Sequence, residues 1–157
     1  MQQNLELLKD VNLFSFFPDK AMKLLAFLAE RTRLATGDIL FEEGDDHGRA
    51  YLILSGQLSL SKQNNDERVV IQHYEEGDFL GSFSLLGAMP ALFTLQASTE
   101  TTVLTINREQ FSKILEQFPE TTKLSLKALL KELNQWERKN LYQAEACCLG
   151  RTGATVL

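Results

Sequence analysis

The chain has 157 residues, 44% of them hydrophobic and 24% charged, a length and balance that fit one domain around a single core. Sixteen basic against twenty-one acidic residues give a formal net charge of −5, the wrong sign for coating a phosphate backbone, so no nucleic-acid partner is expected. No apolar run approaches the ~18 residues of a membrane helix, MQQNLELLKD lacks the regions of a signal peptide, and the adjacent pair Cys147 and Cys148 cannot staple distant segments; a cytoplasmic protein without membrane spans or disulfide framework is expected.

A short amphipathic piece at residues 5–8 comes first, followed by an apolar cluster, Leu13, Phe14, Phe16 and Phe17, expected to pack back onto the core. In DKAMKLLAFLAERTR, residues 19–33, Ala21, Leu24, Leu25 and Leu28 recur at helical spacing. Pro18 and Asp19 suit its first turn, proline for its fixed φ and the carboxylate for the positive end of the helix dipole. From about residue 32 to 107 the period shortens. Runs rich in Val, Ile, Leu, Phe and Thr predict strands at 32–36, 39–43, 50–55, 57–62, 68–74, 92–99 and 102–107. Turns are expected at Gly37-Asp38, Gly44-Asp45, Ser55-Gly56, Asn64-Asn65-Asp66 and Gly77-Asp78. Strands this closely spaced leave no room for crossover helices, which predicts an antiparallel barrel or jelly roll. Leu58 and Leu60 alternate with Ser59 and Ser61, while residues 51–54 are apolar throughout.

Helical spacing returns in REQFSKILEQF and, past Pro119, over residues 120–144. There Leu126, Leu129, Leu130, Leu133, Trp136, Leu141 and Ala144 form a stripe near heptad spacing. A helix of that length either lies on its own barrel or pairs with a second copy of itself. The fold class is therefore mainly β with flanking helices: a domain over residues 1–144, its β-roll at about 32–107 and its long helix at about 120–144, and a flexible tail at 145–157.

Two stretches carry a resemblance. EGDDHGRAYLILSG, residues 43–56, resembles without a gap the glycine-punctuated signature of the cyclic nucleotide-binding domain family, keeping Gly44, Asp45, the apolar residues 51–53 and Gly56. It departs at His47, where the family favours a small residue, and at Ala50. FLGSFSLLGAMPALFTLQA, residues 79–97, resembles the family's phosphate-binding cassette: Phe79, Leu80, Gly81, Ser84 and Leu85 match its first half, Leu95 and Ala97 the end of its second. The resemblance spans residues 10–140 and implies an antiparallel β-roll with N-terminal helices and a long C-terminal helix. It also implies roles at the cassette: a glutamate on the ribose hydroxyl, an arginine on the cyclic phosphate, and a further hydrogen-bond donor after it. At those places this chain has Ser82, Ala91 and Leu92, followed by Phe93 where the family has a small residue.

The candidate pocket is thus a degenerate cassette of Gly81, Ser82, Phe83, Ser84, Leu85, Ala91, Leu92 and Phe93. A cyclic nucleotide brings a full negative charge into an apolar barrel, where an unpaired charge costs several kcal/mol. Backbone N–H groups after Gly81 and the hydroxyls of Ser82 and Ser84 recover part of that at best. If residues 91–97 form one strand, positions 91, 93, 95 and 97 share a face, so Phe93 should point inward with Leu95 and Ala97 and take space a nucleotide needs. Three readings follow: a core repacked without ligand, a less anionic or more apolar ligand, or a cyclic nucleotide held by a substitute cation such as Arg49. No cofactor is expected.

In the long helix the resemblance implies pairing with a twin along Leu126, Leu129, Leu133 and Trp136, with Asn134 and Gln135 near a bound base. Lys123, Lys127 and Lys131 form a basic edge, either solvated or facing an acidic partner. Catalysis is not expected, because His47 and His73 cannot supply a multi-histidine metal site and no serine or cysteine sits in a nucleophile-elbow setting. GRTG near the end lacks the lysine of a phosphate loop. After Leu141 the sequence is too short for a DNA-reading domain, and Thr155-Val156-Leu157 fits a carboxylate-capture pattern only loosely. The expectation is a stand-alone regulatory module with a protein partner, homodimeric through its long helix, acting through protein contacts.

Overall fold

The computed structural model describes residues 2–147, with side chains through residue 141. Cys148, residues 155–157 and the side chains of Ala144 and Cys147 lie outside the described residues. Helices α1 (Gln2–Lys9) and α2 (Asp19–Leu28) lead into β1 (Glu30–Leu34), β2 (Ile39–Phe41), β3 (Arg49–Ser55), β4 (Leu58–Asn64), β5 (Glu67–Tyr74) and β6 (Phe79–Leu80). A five-residue helix, α3 (Ser82–Leu86), interrupts the strands before β7 (Thr94–Ala97) and β8 (Thr101–Asn107), and α4 (Arg108–Gln117) and α5 (Pro119–Cys147) follow. The strands form two four-stranded antiparallel sheets, ordered β1-β8-β3-β6 and β2-β7-β4-β5. This is the mainly β roll with helices at both ends that the spacing of apolar runs predicts.

Helix α2 stops earlier than its sequence suggests. Ala29 turns to extended backbone (φ −70°, ψ 132°) while its N–H still caps Leu25. From Glu30 the chain pairs with β8, Glu30 against Thr105 through Leu34 against Thr101. Ala-Glu-Arg favours helix locally, but five residues of ladder pairing outweigh a preference of a few tenths of a kcal/mol per residue. The strand expected at 92–99 is also shorter, and residues 91–93 lie outside β7.

The apolar run at 51–54 has a physical reason. Strand β3 is covered on both sides: Ala50 and Leu52 join Leu104, Ile106, Phe111 and the N-terminal helices, while Tyr51 and Ile53 meet Leu58, Leu95 and Val103 between the sheets. Strand β4 departs from a simple amphipathic alternation, since Ser59 and Ser61 are buried along with Leu58, and the register shifts between Leu60 and Ser61. The Ser59 hydroxyl reaches the Gln96 carbonyl at 3.4 Å, and the Ser61 hydroxyl has no hydrogen-bond partner among the described residues.

Phe14 is fully buried and meets Phe17, Phe79 and Phe111 with ring centroids 5.5, 5.3 and 6.0 Å apart. Full burial of such a ring stabilises by about 1.5–3 kcal/mol. This cluster ties the 10–18 segment to α4 and to β6, the strand that delivers the chain into α3. Phe16 does not join it; its side chain is 72% exposed.

Candidate functional site

The cassette begins at Gly81, which caps α3 in the left-handed region (φ 89°). A Cβ there would lie 2.5 Å from the Arg49 carbonyl oxygen, so both the dihedral and the close approach to β3 require glycine. Strand β6 thereby passes directly beside the start of β3 and turns into α3. On the facing side, the turn after β2 is closed by Asp45, whose carboxylate accepts the Glu42 N–H at 3.0 Å. Residue 91 is bound to that turn at both backbone groups: its N–H donates to the Asp45 carbonyl at 2.8 Å, and its carbonyl accepts the Gly44 N–H at 2.7 Å.

Between these segments lies an open cleft of about 210 Å³, lined by Phe41, His47, Leu60, Gly81, Phe83, Ser84 and residues 89–93. Drug-sized ligands typically occupy pockets of about 300–1,000 Å³. Six of the eight cassette residues from the sequence meet here: Gly81, Phe83, Ser84, Ala91, Leu92 and Phe93. Ser82 is buried but does not line the cleft, and Leu85 turns into the core beside Ala50 and Leu52. Phe93 lies ahead of β7 instead of on its inward face; it is half-buried at the wall of the cleft, with the Lys62 ammonium 5.7 Å from its ring centroid. Leu92 is 68% exposed. Arg49, the substitute cation considered above, lines grooves on other faces and not this cleft.

His47 is the polar ring in this wall. It lies flat on Phe41, centroids 4.0 Å apart and planes 5° from parallel, and stacks more loosely toward Tyr51 at 6.0 Å. Its Nδ1 accepts the Arg49 N–H at 3.3 Å, which assigns the proton to Nε2, and Nε2 lies 3.0 Å from the Ser84 hydroxyl. Burial holds the imidazole below its ordinary value of 6.5; Arg108 and Arg49 push the same way, against Asp46 and Asp45. Burial likewise raises the Tyr51 phenol.

Behind the histidine stands an ion pair that no local sequence pattern marks. Arg108, the first residue of α4, grips both carboxylate oxygens of Asp46, and its Nε donates to the Ser84 carbonyl at 2.6 Å. The hydrogen-bonded guanidinium lowers the Asp46 carboxyl, and the pair raises Arg108 in return. One side chain thus joins α4, the 45–48 loop and α3. Asp46 and Arg108 are 62 positions apart in sequence, so only the fold brings them together.

The long helix divides in two. Thr121, Ser125 and Leu129 are buried against the body of the domain, so Leu129 belongs to the chain's own core and not to an external seam. Leu126, Leu133 and Trp136 are exposed by 57, 43 and 61%, together with Leu130 and Leu141. Asn134, Gln135, Lys123, Lys127 and Lys131 are also exposed. No helix among the described residues is long and apolar enough to cross a membrane.

The family model of the cyclic nucleotide-binding domain matches residues 31–118. The chain belongs to the cyclic nucleotide-binding domain family. Among curated relatives of this domain, the cAMP-dependent protein kinase regulatory subunit of Eremothecium gossypii is 31% identical over 117 residues, covering 68% of this chain and 25% of that protein. The chain spans about a quarter or less of the length of the first such relatives. Among solved structures, a cyclic nucleotide-binding-like protein from Brucella abortus is 36% identical, with a TM-score of 0.67 over 73% of this chain and 98% of that one. The N-terminal domain of a transcriptional regulator from Streptomyces coelicolor is 26% identical, with a TM-score of 0.73 over 82% and 93% of the two chains.

Proposed function

We propose that this domain is a non-catalytic regulatory module that no longer holds cyclic AMP or cyclic GMP in the ordinary way and acts through protein contacts, over residues 1–144 with 145–157 as a tail. The observation that carries this reading is the composition of the cleft. At the cassette positions it offers Ala91, Leu92 and Phe93, and its lining residues include no lysine or arginine. A cyclic phosphate seated there loses its water without gaining a charged partner, and removing one member of a buried charge pair costs about 2–5 kcal/mol. Calorimetric titration with cyclic AMP and cyclic GMP tests this: no binding below millimolar concentration is expected, and a micromolar Kd for either overturns it.

The exposed row Leu126, Leu130, Leu133, Trp136 and Leu141 supports a homodimer through α5, since isolated exposed apolar residues are common but a helical stripe of five is not. Light scattering should give a dimer for the wild type and a monomer for Leu133→Glu. A wild-type monomer at tens of micromolar overturns this part.

A further inference from the structure

An imidazole is a costly residue to place in the wall of an apolar cleft unless both ring nitrogens find partners. At His47 both do, from different elements: the Arg49 N–H on Nδ1 at 3.3 Å and the Ser84 hydroxyl at Nε2 at 3.0 Å. The ring is also seated face to face on Phe41 at 4.0 Å. A flat platform, a donor and a hydroxyl acceptor are together what a site for a small planar heterocycle needs. We propose that His47 is the built-in ligand of the cassette cleft, an internal plug whose seat accepts uncharged azole rings that accept from the Arg49 N–H and donate to Ser84. This goes beyond the proposed function and does not rest on it, because it concerns contacts within the chain whether or not a nucleotide binds.

The seat is selective for the neutral ring. Protonation converts Nδ1 from acceptor to donor, so it then faces the Arg49 N–H with a second N–H. The charged groups acting on the ring are Asp45 and Asp46 on its own loop, Arg49 on β3 and Arg108 on α4; Tyr51 stacks beside it, and the groove that His47 shares with α4 also carries Glu109, Lys113 and Glu116. Asp46 is already engaged by Arg108, so it does not compensate an imidazolium fully. From α3, β2 and the 89–93 segment the cleft-lining residues are uncharged. Acid therefore drives the plug out of its seat.

The test replaces the side chain and returns it as a free molecule. In His47→Gly, imidazole at pH 8.5, where it is mostly neutral, should raise Tm by about 3–6 °C when present at about ten times its Kd. The wild type should not respond, nor should His47→Gly treated with imidazolium at pH 5.5. Equal responses of variant and wild type, or no response of a folded variant, overturn the proposal. Should His47→Gly not fold, nitrogen NMR of the wild type decides. A proton on Nε2, a titration midpoint below the ordinary 6.5, and an Arg49 amide shift on the same curve support the plug. A proton on Nδ1, or a midpoint at or above 6.5, overturns it.

Discussion

If the proposed function is right, Ala91→Arg supplies the charge that no residue lining the cleft provides, and the structure allows its effect to be bounded. Both backbone groups of residue 91 are held by the 44–45 turn, so a longer side chain changes no main-chain bond, and Ala91 already lines the cleft. The cleft lining itself offers the new guanidinium no carboxylate, while the turn that holds residue 91 carries Asp45 beside Gly44 as a competitor. A hydrogen-bonded, partly desolvated charge pair contributes about 2–5 kcal/mol, or roughly 30- to 5,000-fold in affinity. Taken from a wild-type Kd of about 1 mM, that places the variant's Kd for cyclic AMP or cyclic GMP between about 0.2 and 30 µM, and proportionally higher for a weaker start. Isothermal titration at low and high salt measures it, with Ala91→Met as the control for side-chain volume without charge. Gain in the arginine variant alone, weakened by salt, is expected. Equal binding by Ala91→Met and Ala91→Arg would mean that charge was not the missing element. If Ala91→Arg gains nothing, adding Phe93→Ala and Ser82→Glu separates a blocked cleft from one of different shape; Ser82 is 7% exposed, so its glutamate should itself lower stability.

Other substitutions check the frame around the cleft. Gly81→Ala forces a left-handed alanine with its Cβ 2.5 Å from the Arg49 carbonyl, and a cost of at least about 2 kcal/mol should lower Tm by about 4–8 °C in differential scanning calorimetry. Leu129→Ala should cost about 2–5 kcal/mol in urea unfolding, whereas Leu126→Ala should change Tm only through its dependence on protein concentration, as an intermolecular contact does. For pH, the sign follows from His47. With its folded-state value held below 6.5, its contribution is intact above pH 6.5 and is lost as pH falls from there toward the folded-state value, because the unfolded chain takes up the proton first. The wild type should therefore lose urea stability relative to His47→Gln between pH 7 and pH 5, and parallel profiles would refute the assignment.

Local patterns in the sequence revealed the elements whose residues decide their own environment. Residues 51–54 are apolar because β3 is covered on both faces, and that reads directly from the run. Leu24, Leu25 and Leu28 mark α2, but not its end, which is set by Glu30–Leu34 finding β8 about seventy positions away. Strand β6 has two residues and α3 five, too few for any period to register. Phe93 faces the cleft wall beside Lys62 because β7 starts one residue later, at Thr94. Heptad spacing cannot separate Leu129 from Leu126 and Leu133, since only docking of the first turns of α5 assigns one to the core and the others to solvent. At the site, the motif comparison located the cleft and its changed positions. In the motif His47 registers only as a departure, because a stacking partner at 41, a hydroxyl at 84 and an ion pair from 108 behind it are meetings that sequence order conceals.

The placement of these residues also explains how a cassette can change while the roll persists. The cassette residues that remain family-like are those the fold itself uses: Gly81 packs against the β3 backbone, and Leu85 belongs to the core. The altered ones carry little of that burden. Leu92 is two-thirds exposed, Phe93 is half-buried at the cleft wall, and Ala91 is held through backbone bonds that any residue but proline can make at its N–H. Substitution at 91–93 therefore costs the fold little. The two walls are joined by contacts of the chain itself, through Arg108 between Asp46 and the Ser84 carbonyl and through His47 on Phe41 and the Ser84 hydroxyl. Together these contacts tie the 45–48 loop to α3 and α4 through groups that the chain itself supplies.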